Sequence, residues 1–252
     1  TLFVVVRWKG IEIPRSIKVW LCYLVMGALN NAIPFSLIFW GQVTIDSGLA
    51  SILNGTTAVF GAVVAGLLLA DERLTARKII GALFGLFGVA VIMGFDALTN
   101  FDLRNLAQLA VIAGTISYAF ASVWARKRLT GLAPQVAAAG MLTGSSLVMI
   151  PLAVLIEGPI DLALTPRTWI AIAYYALIAT AVAYLLYYRV LAMAGSGNLM
   201  LCTLVIPPVA ILLGAWFLGE ELHPRAFTGF AILALGLIIL DGRAYRRLRA
   251  AI

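Results

Sequence analysis

The sequence predicts an all-α membrane protein, a polytopic helical bundle, and three observations carry that prediction. Of its 252 residues, 63% are hydrophobic and only 12% charged, where a soluble domain is about half apolar and a quarter charged. The apolar residues gather into eight runs, at 17–42, 48–70, 78–95, 106–125, 136–156, 168–192, 198–218 and 225–241, each near the ~20 residues that cross a bilayer. The runs are continuous, without the period-two alternation of a transmembrane β-barrel. In lipid each backbone amide has to be satisfied within its own segment, which leaves helices.

Each run has ends of the right kind. TLFVVV at 1–6 is too short to span and meets RWKG at once, with no small-residue cleavage site after it. The expectation is that the chain starts part-way through a helix. Run 17–42 follows the basic, proline-containing RWKGIEIPRS, and 48–70 lies between Asp46 and Asp71-Glu72-Arg73. Run 78–95 stops at Gly94 and Asp96, and 106–125 stops at Arg126-Lys127-Arg128. Pro134 and Glu157-Gly158-Pro159 bracket 136–156, while Pro166-Arg167 opens 168–192. Gly195-Ser196-Gly197 precedes 198–218, and His223-Pro224 precedes 225–241. Charges, glycines and prolines of this kind are helix punctuation.

The net charge of +7 does not imply a nucleic-acid partner. The basic residues form short clusters between apolar runs, as loops at a membrane face do, so the lipid bilayer is the expected environment. One side collects Arg7, Lys9, Arg15, Lys18, Arg73, Arg77, Lys78, Arg126, Lys127, Arg128, Arg189, Arg243, Arg246, Arg247 and Arg249, against Arg104, Arg167 and Arg225 on the other. The positive-inside rule makes the rich side cytoplasmic and puts the C-terminus there, with a bacterial inner membrane as the expected location. Cys22 and Cys202 lie within apolar runs and are read as small buried side chains rather than a disulfide or metal pair.

The phrase WFLGEELHPRAFTG, with Glu220 and Glu221 between two apolar runs, is one half of a repeat. Shifted by 148 positions, it falls on LLLADERLTARKIIG without a gap. Between 62 and 88, seven of 27 positions equal their partners: Ala62/Ala210, Gly66/Gly214, Glu72/Glu220, Leu74/Leu222, Arg77/Arg225, Gly81/Gly229 and Gly88/Gly236. Apolar composition does not align Glu, Arg and Gly in one register, so the chain is an internal duplication. Five spans separate the copies, an odd number, which inverts the second relative to the first. The expected organisation is a first repeat at 1–98, lacking its N-terminal helix and most of the second, and an inverted repeat at 99–252. Complete, the bundle would have ten spans; eight and a fragment are present. Inverted repeats around a midplane site are the plan of many secondary transporters.

LLLADERLTARKIIGALFGLFGVAVI, VIPPVAILLGAWFLGEELHPRAFTGFAILALGLIIL and SILNGTTA resemble the drug/metabolite transporter superfamily, in its ten-helix EamA type. The resemblance covers most of both half-repeats and extends to its aromatic amino-acid exporter group. It implies export of amino acids or related metabolites, with direction resting on the likeness alone. Ala58 stands where this type of helix would carry a proline, although Pro207 and Pro208 remain in the second copy.

Candidate site residues are polar or aromatic side chains within spans. Thr180, Tyr184 and Tyr188 recur every four residues on one stripe. Their partners 148 positions back are Ala32, Ser36 and Trp40. Tyr188 and Trp40 approach helix ends, where an aromatic belt explains them equally well, whereas Tyr184 and Ser36 lie deeper. Asn30, Asn31 and Asn54 each need a hydrogen-bond partner in hydrocarbon, as helix-to-helix contacts or as substrate contacts. Thr115, Tyr118 and Ser122 share a face, with Ser117 and Trp124 beside it. Asn198 caps a helix start, and Arg189 either snorkels at its helix end or serves a cytoplasmic gate. Gly81, Gly85, Gly88, Gly140 and Gly144 present small faces for helix packing.

A small-molecule substrate with an apolar side chain and a polar backbone suits such a lining, which gives a secondary-active or facilitative exporter of amino acids, aromatic or large apolar, by alternating access. Import or exchange of a sugar derivative or nucleobase stays open. No catalytic residue, metal or cofactor is expected. The single histidine, His223, lies in a turn, and Asp96 in GFDAL lacks the second buried Asp of an intramembrane protease.

Overall fold

The structure, a computed structural model, describes residues 2–159, 162–219 and 223–241. Among them the chain is helical, without a β-strand. The order is α1 (Leu2–Trp8), α2 (Ile17–Gly27), α3 (Ile33–Gln42), α4 (Ser47–Gly55), α5 (Thr57–Leu68), α6 (Ala76–Met93), α7 (Leu106–Arg128), α8 (Pro134–Glu157), α9 (Pro166–Tyr174), α10 (Ala183–Ala194), α11 (Ser196–Leu199), α12 (Cys202–Leu213) and α13 (Pro224–Asp241). Seven helical stretches are long and apolar enough to cross a membrane: 17–42, 47–68, 76–93, 106–128, 134–157, 166–194 and 196–217. Pro224–Leu240 is apolar and shorter. All eight predicted runs are therefore helical, and the protein is a polytopic membrane bundle. Glu220, Glu221, Arg243, Arg246, Arg247 and Arg249 lie outside the described residues.

Local chemistry sets the helix starts. Pro134 and Pro166 stand in the first turns of α8 and α9, where a missing amide proton is harmless. The Thr165 and Thr75 hydroxyls accept from the backbone N–H of Thr168 and Lys78, both at 3.3 Å. Several long helices are interrupted. Ala28–Ala32 is π-helical between α2 and α3. Pro34 supplies the cause: it lacks the N–H that would close an α-turn onto the Asn30 carbonyl, and an i→i+5 register passes over it. Tyr175–Val182, between α9 and α10, is also π-helical; it holds no proline, and nothing local in its sequence accounts for the shift. These two segments stand at equivalent places under the 148-residue offset.

Packing divides the chain into two compact units, Thr1–Ala32 with Trp124–Gly195, and Ile33–Val123 with Ser196–Ile252. In the first, α2 lies on α8 through glycine. A Cβ at Gly27 would collide with the backbone of Gly144 and Ser145, and one at Gly140 with the Tyr23 ring. Tyr23, Met26 and Met141 are fully buried at this contact.

In the second unit, α6 and α13 cross through the predicted glycines. A Cβ at Gly81 would lie 2.9 Å from Gly236 O and 2.5 Å from Leu240 Cγ, and one at Gly229 would lie 2.8 Å from Gly88 O and against Ile92. Gly236 would meet Gly85 N at 2.6 Å, and Gly88 would meet Leu233 N at 2.7 Å. These four contacts pair up at the 148-residue offset, Gly81 with Gly229 and Gly236 with Gly88. Such close backbone approach is how helices associate in lipid, where burial between helices gains little over lipid contact. Beside the crossing, Ile52, Ala58, Val89, Ile92, Leu204 and Leu233 form a buried cluster.

The cysteine expectation needs correction. Cys22 and Cys202 are free, but Cys22 is half-buried and Cys202 exposed, because a thiol on an outward helix face needs no polar partner in an apolar surrounding.

Candidate functional site

A neutral polar cluster lies inside the first unit. The π-helical segment Ala28–Ala32 buries Asn30 and Asn31 side by side. The Asn30 amide nitrogen donates to Asn31 Oδ1 at 3.1 Å and to the Tyr184 hydroxyl at 3.2 Å. Tyr184 in turn donates to Asn31 Oδ1 at 2.5 Å, and the Asn31 amide donates to Ser145 Oγ at 3.1 Å. Ser145 reaches the pair because Gly27 and Gly144 bring α2 and α8 together. One acceptor, Asn30 Oδ1, is buried with no hydrogen-bond partner among the described residues. An orphaned buried carbonyl costs roughly 1–3 kcal/mol.

Aromatic rings continue from this cluster along α10. Tyr184 and Tyr187 meet edge-on at 5.9 Å, and Tyr187 and Tyr188 at 5.3 Å. Tyr188 is buried and borders a recess of about 130 Å³ with Arg126, Thr130 and Leu191. Thr180 is half-buried within the second π-helical segment, so the expected four-residue stripe is interrupted between it and Tyr184. Trp124 does different work: its indole N–H donates to the Cys22 carbonyl at 3.1 Å, tying the end of α7 to α2, while Arg128 stacks over its ring at 5.5 Å.

The other candidates, Arg189 apart, lie in the second unit. Ser36 and Trp40 are exposed on α3. Asn54 is half-buried on α4, with Oδ1 buried and unpartnered among the described residues. Ser117 is buried, and Tyr118 packs against Ile38, Leu49, Leu53 and Val111. Ser122 is buried and donates to the Ala119 carbonyl of its own helix at 2.8 Å. Asn198 lies within α11 rather than before it; the start of that helix is served by Glu72 instead. Arg189 is exposed on α10.

Sequence reasoning missed Ser145 and Tyr187. The rule applied to the asparagines, that a polar group in a span needs a partner, would have flagged Ser145 in MLTGSSLVMI. The chemistry available is hydrogen bonding by amides, hydroxyls and a phenol, without charge. Among the described residues no group of three or more His, Cys, Asp or Glu could hold a metal ion.

Comparison with known proteins agrees with this architecture. The sequence model of the EamA-like transporter family matches residues 1–94 and 105–240. A "Probable terminal-alkyne amino-acid exporter" of Streptantibioticus cattleyicolor is 27% identical over 96% of this chain and 80% of its own length. A "Probable amino-acid metabolite efflux pump" of Escherichia coli is 24% identical over 77% of this chain and 67% of its own. Protein PecM of Dickeya dadantii is 24% identical over 88% of this chain and 74% of its own. A solved crystal structure shares the fold, with a TM-score of 0.77 over 95% of this chain and 82% of that one, at 16% identity.

Proposed function

We propose, from the premise that this chain belongs to the EamA-like transporter family, that it exports amino acids with aromatic or large apolar side chains, and related small metabolites, by alternating access. The buried, uncharged cluster of Asn30, Asn31, Ser145 and Tyr184 carries this reading. An α-ammonium leaving water needs acceptors, and Asn30 Oδ1 is a buried acceptor with none of its own bonds made among the described residues. The substrate's apolar side chain then meets the rings of Tyr184, Tyr187 and Tyr188. The names of two relatives, an amino-acid exporter and an amino-acid metabolite efflux pump, support the same class and direction.

Within this reading Asn30, Asn31 and Tyr184 touch substrate, with Thr180 and Tyr188 beside them. Ser122 and Trp124 serve packing, because their polar hydrogens are spent on helix carbonyls. The two inverted repeats supply the alternation, the basic loops and the C-terminus face the cytoplasm, and the membrane is a bacterial inner membrane. Two of the three π-helical segments among the described residues, Ala28–Ala32 and Tyr175–Val182, stand at equivalent places in the two repeats and support the duplication, while the third, Gly214–Leu218, has no π-helical counterpart at 66–70; π-turns recur at functional sites.

The test is uptake into proteoliposomes of a panel of labelled amino acids, with and without a pH gradient. Flux of phenylalanine, tyrosine, tryptophan or leucine above protein-free vesicles is the expected result. Absence of flux for every amino acid would refute the reading.

A further inference from the structure

The repeat-marking glutamate Glu72 has a partner that the duplication alone does not reveal. Its carboxylate accepts the backbone N–H of Ser196 on Oε1 at 2.6 Å and that of Gly197 on Oε2 at 2.7 Å. Two consecutive amides on one carboxylate form a bidentate, charge-assisted clamp. A Cβ at Gly197 would stand 3.1 Å from Oε2, a gap that a shift of the carboxylate by a few tenths of an ångström accommodates. The same two stretches touch twice more. A Cβ at Gly197 would lie 3.7 Å from Ala65 Cβ, and one at Gly61 would lie 2.5 Å from Met200 Cγ. Glu72, α5 and α11 are thus joined three ways inside the second unit.

The clamp sits one residue past a change of unit. Gly195 ends α10 with φ +82°, its N–H bonded to Leu191 O at 3.1 Å, and is the last residue of the first unit. Ser196 is the first residue of the second. Upstream of the clamp stands a glycine with backbone freedom; downstream, the chain is fixed to α5.

We propose that Glu72 is a positioning residue that holds Ser196 and Gly197 as a stationary pivot, so that α10 turns about Gly195 during transport while α5 and α11 stay joined. The proposal rests on the transporter reading for the motion, but the clamp can be tested without it. Hydrogen–deuterium exchange in nanodiscs reads the amides of 196–200 directly. In Glu72→Ala they exchange about tenfold faster or more, the equivalent of about 1.4 kcal/mol of lost protection, while the 76–93 helix is unchanged. Glu72→Gln, with one acceptor oxygen left, lies between. Unchanged exchange at 196–200 in Glu72→Ala overturns the proposal.

A cross-link separates a stationary pivot from a latch that must open. Cβ atoms 3.7 Å apart suit a disulfide, so Ala65→Cys with Gly197→Cys, in a Cys22→Ser, Cys202→Ser background, is oxidised in proteoliposomes. Phenylalanine flux equal in the oxidised and reduced forms is expected. Flux lost on oxidation and restored by reductant means that the joint opens, and overturns the pivot. No flux in the unmodified protein would refute the exporter reading and leave the exchange result to decide the clamp.

Discussion

Replacing Tyr184 by phenylalanine removes one oxygen and tests the cluster at its centre. That oxygen accepts from the Asn30 amide at 3.2 Å and donates to Asn31 Oδ1 at 2.5 Å. Without it, Asn31 Oδ1 keeps the Asn30 amide at 3.1 Å, so its carbonyl is not stranded. Asn30, 2% exposed, loses the partner of one of its two amide hydrogens. An orphaned buried donor costs roughly 1–3 kcal/mol, while hydrogen bonds between membrane helices average about 0.6 kcal/mol in double-mutant cycles. The expectation is about 1 kcal/mol, which lowers Tm by about 2–4 °C in a chain of this size. Thermal unfolding in nanodiscs measures it, together with Asn31→Ala and the double variant. The two changes share a bond and should be non-additive by about 0.5 kcal/mol or more. Phenylalanine flux should fall severalfold in Tyr184→Phe at a temperature where both proteins are folded. Additive losses with unchanged flux would show that the three side chains form neither a network nor a site.

The α6–α13 crossing predicts that Gly236→Val, whose Cβ would stand 2.6 Å from Gly85 N, destabilises by roughly 1–3 kcal/mol. Gly88→Val should match it within error, and Gly48→Ala, with 3.4 Å of clearance to Ala97, should not, all read from Tm. Trp124→Phe removes the indole donor to the Cys22 carbonyl, which keeps its place in the α2 ladder, and should cost about 1 kcal/mol or less while leaving the phenylalanine KM unchanged. Arg225→Gln breaks a 3.8 Å pair with the exposed Asp96 and should change stability by less than about 1 kcal/mol; a larger loss would show that the guanidinium is held by more than charge.

The spans were legible because lipid imposes length and apolarity on a segment whatever its neighbours do. The glycine crossing was legible because close approach excludes side chains, so Gly81, Gly85 and Gly88 declare a packing face by composition alone. The break at Thr56 between α4 and α5, and the π-helical turn at Tyr175–Val182, have no such mark; a register shift of one hydrogen bond leaves hydropathy unchanged. Asn30, Asn31 and Tyr184 were individually legible as polar groups that needed partners. That they bond to one another, with Ser145 as the fourth member, depends on Gly27 and Gly144 setting the spacing of two helices. Glu72 was visible only as a repeat mark, because its partners are backbone amides, which every residue but proline possesses.

The glycine crossing of α6 and α13 has the geometry of a homodimer. Gly81 meets Gly236 and Leu240 as Gly229 meets Gly88 and Ile92, the reciprocal pattern of a two-fold interface between identical subunits. Because one polypeptide encodes the two sides separately, they need not be identical: at the 148-residue offset Gly85 corresponds to Leu233, and it is enough that their summed thickness lets the two backbones touch.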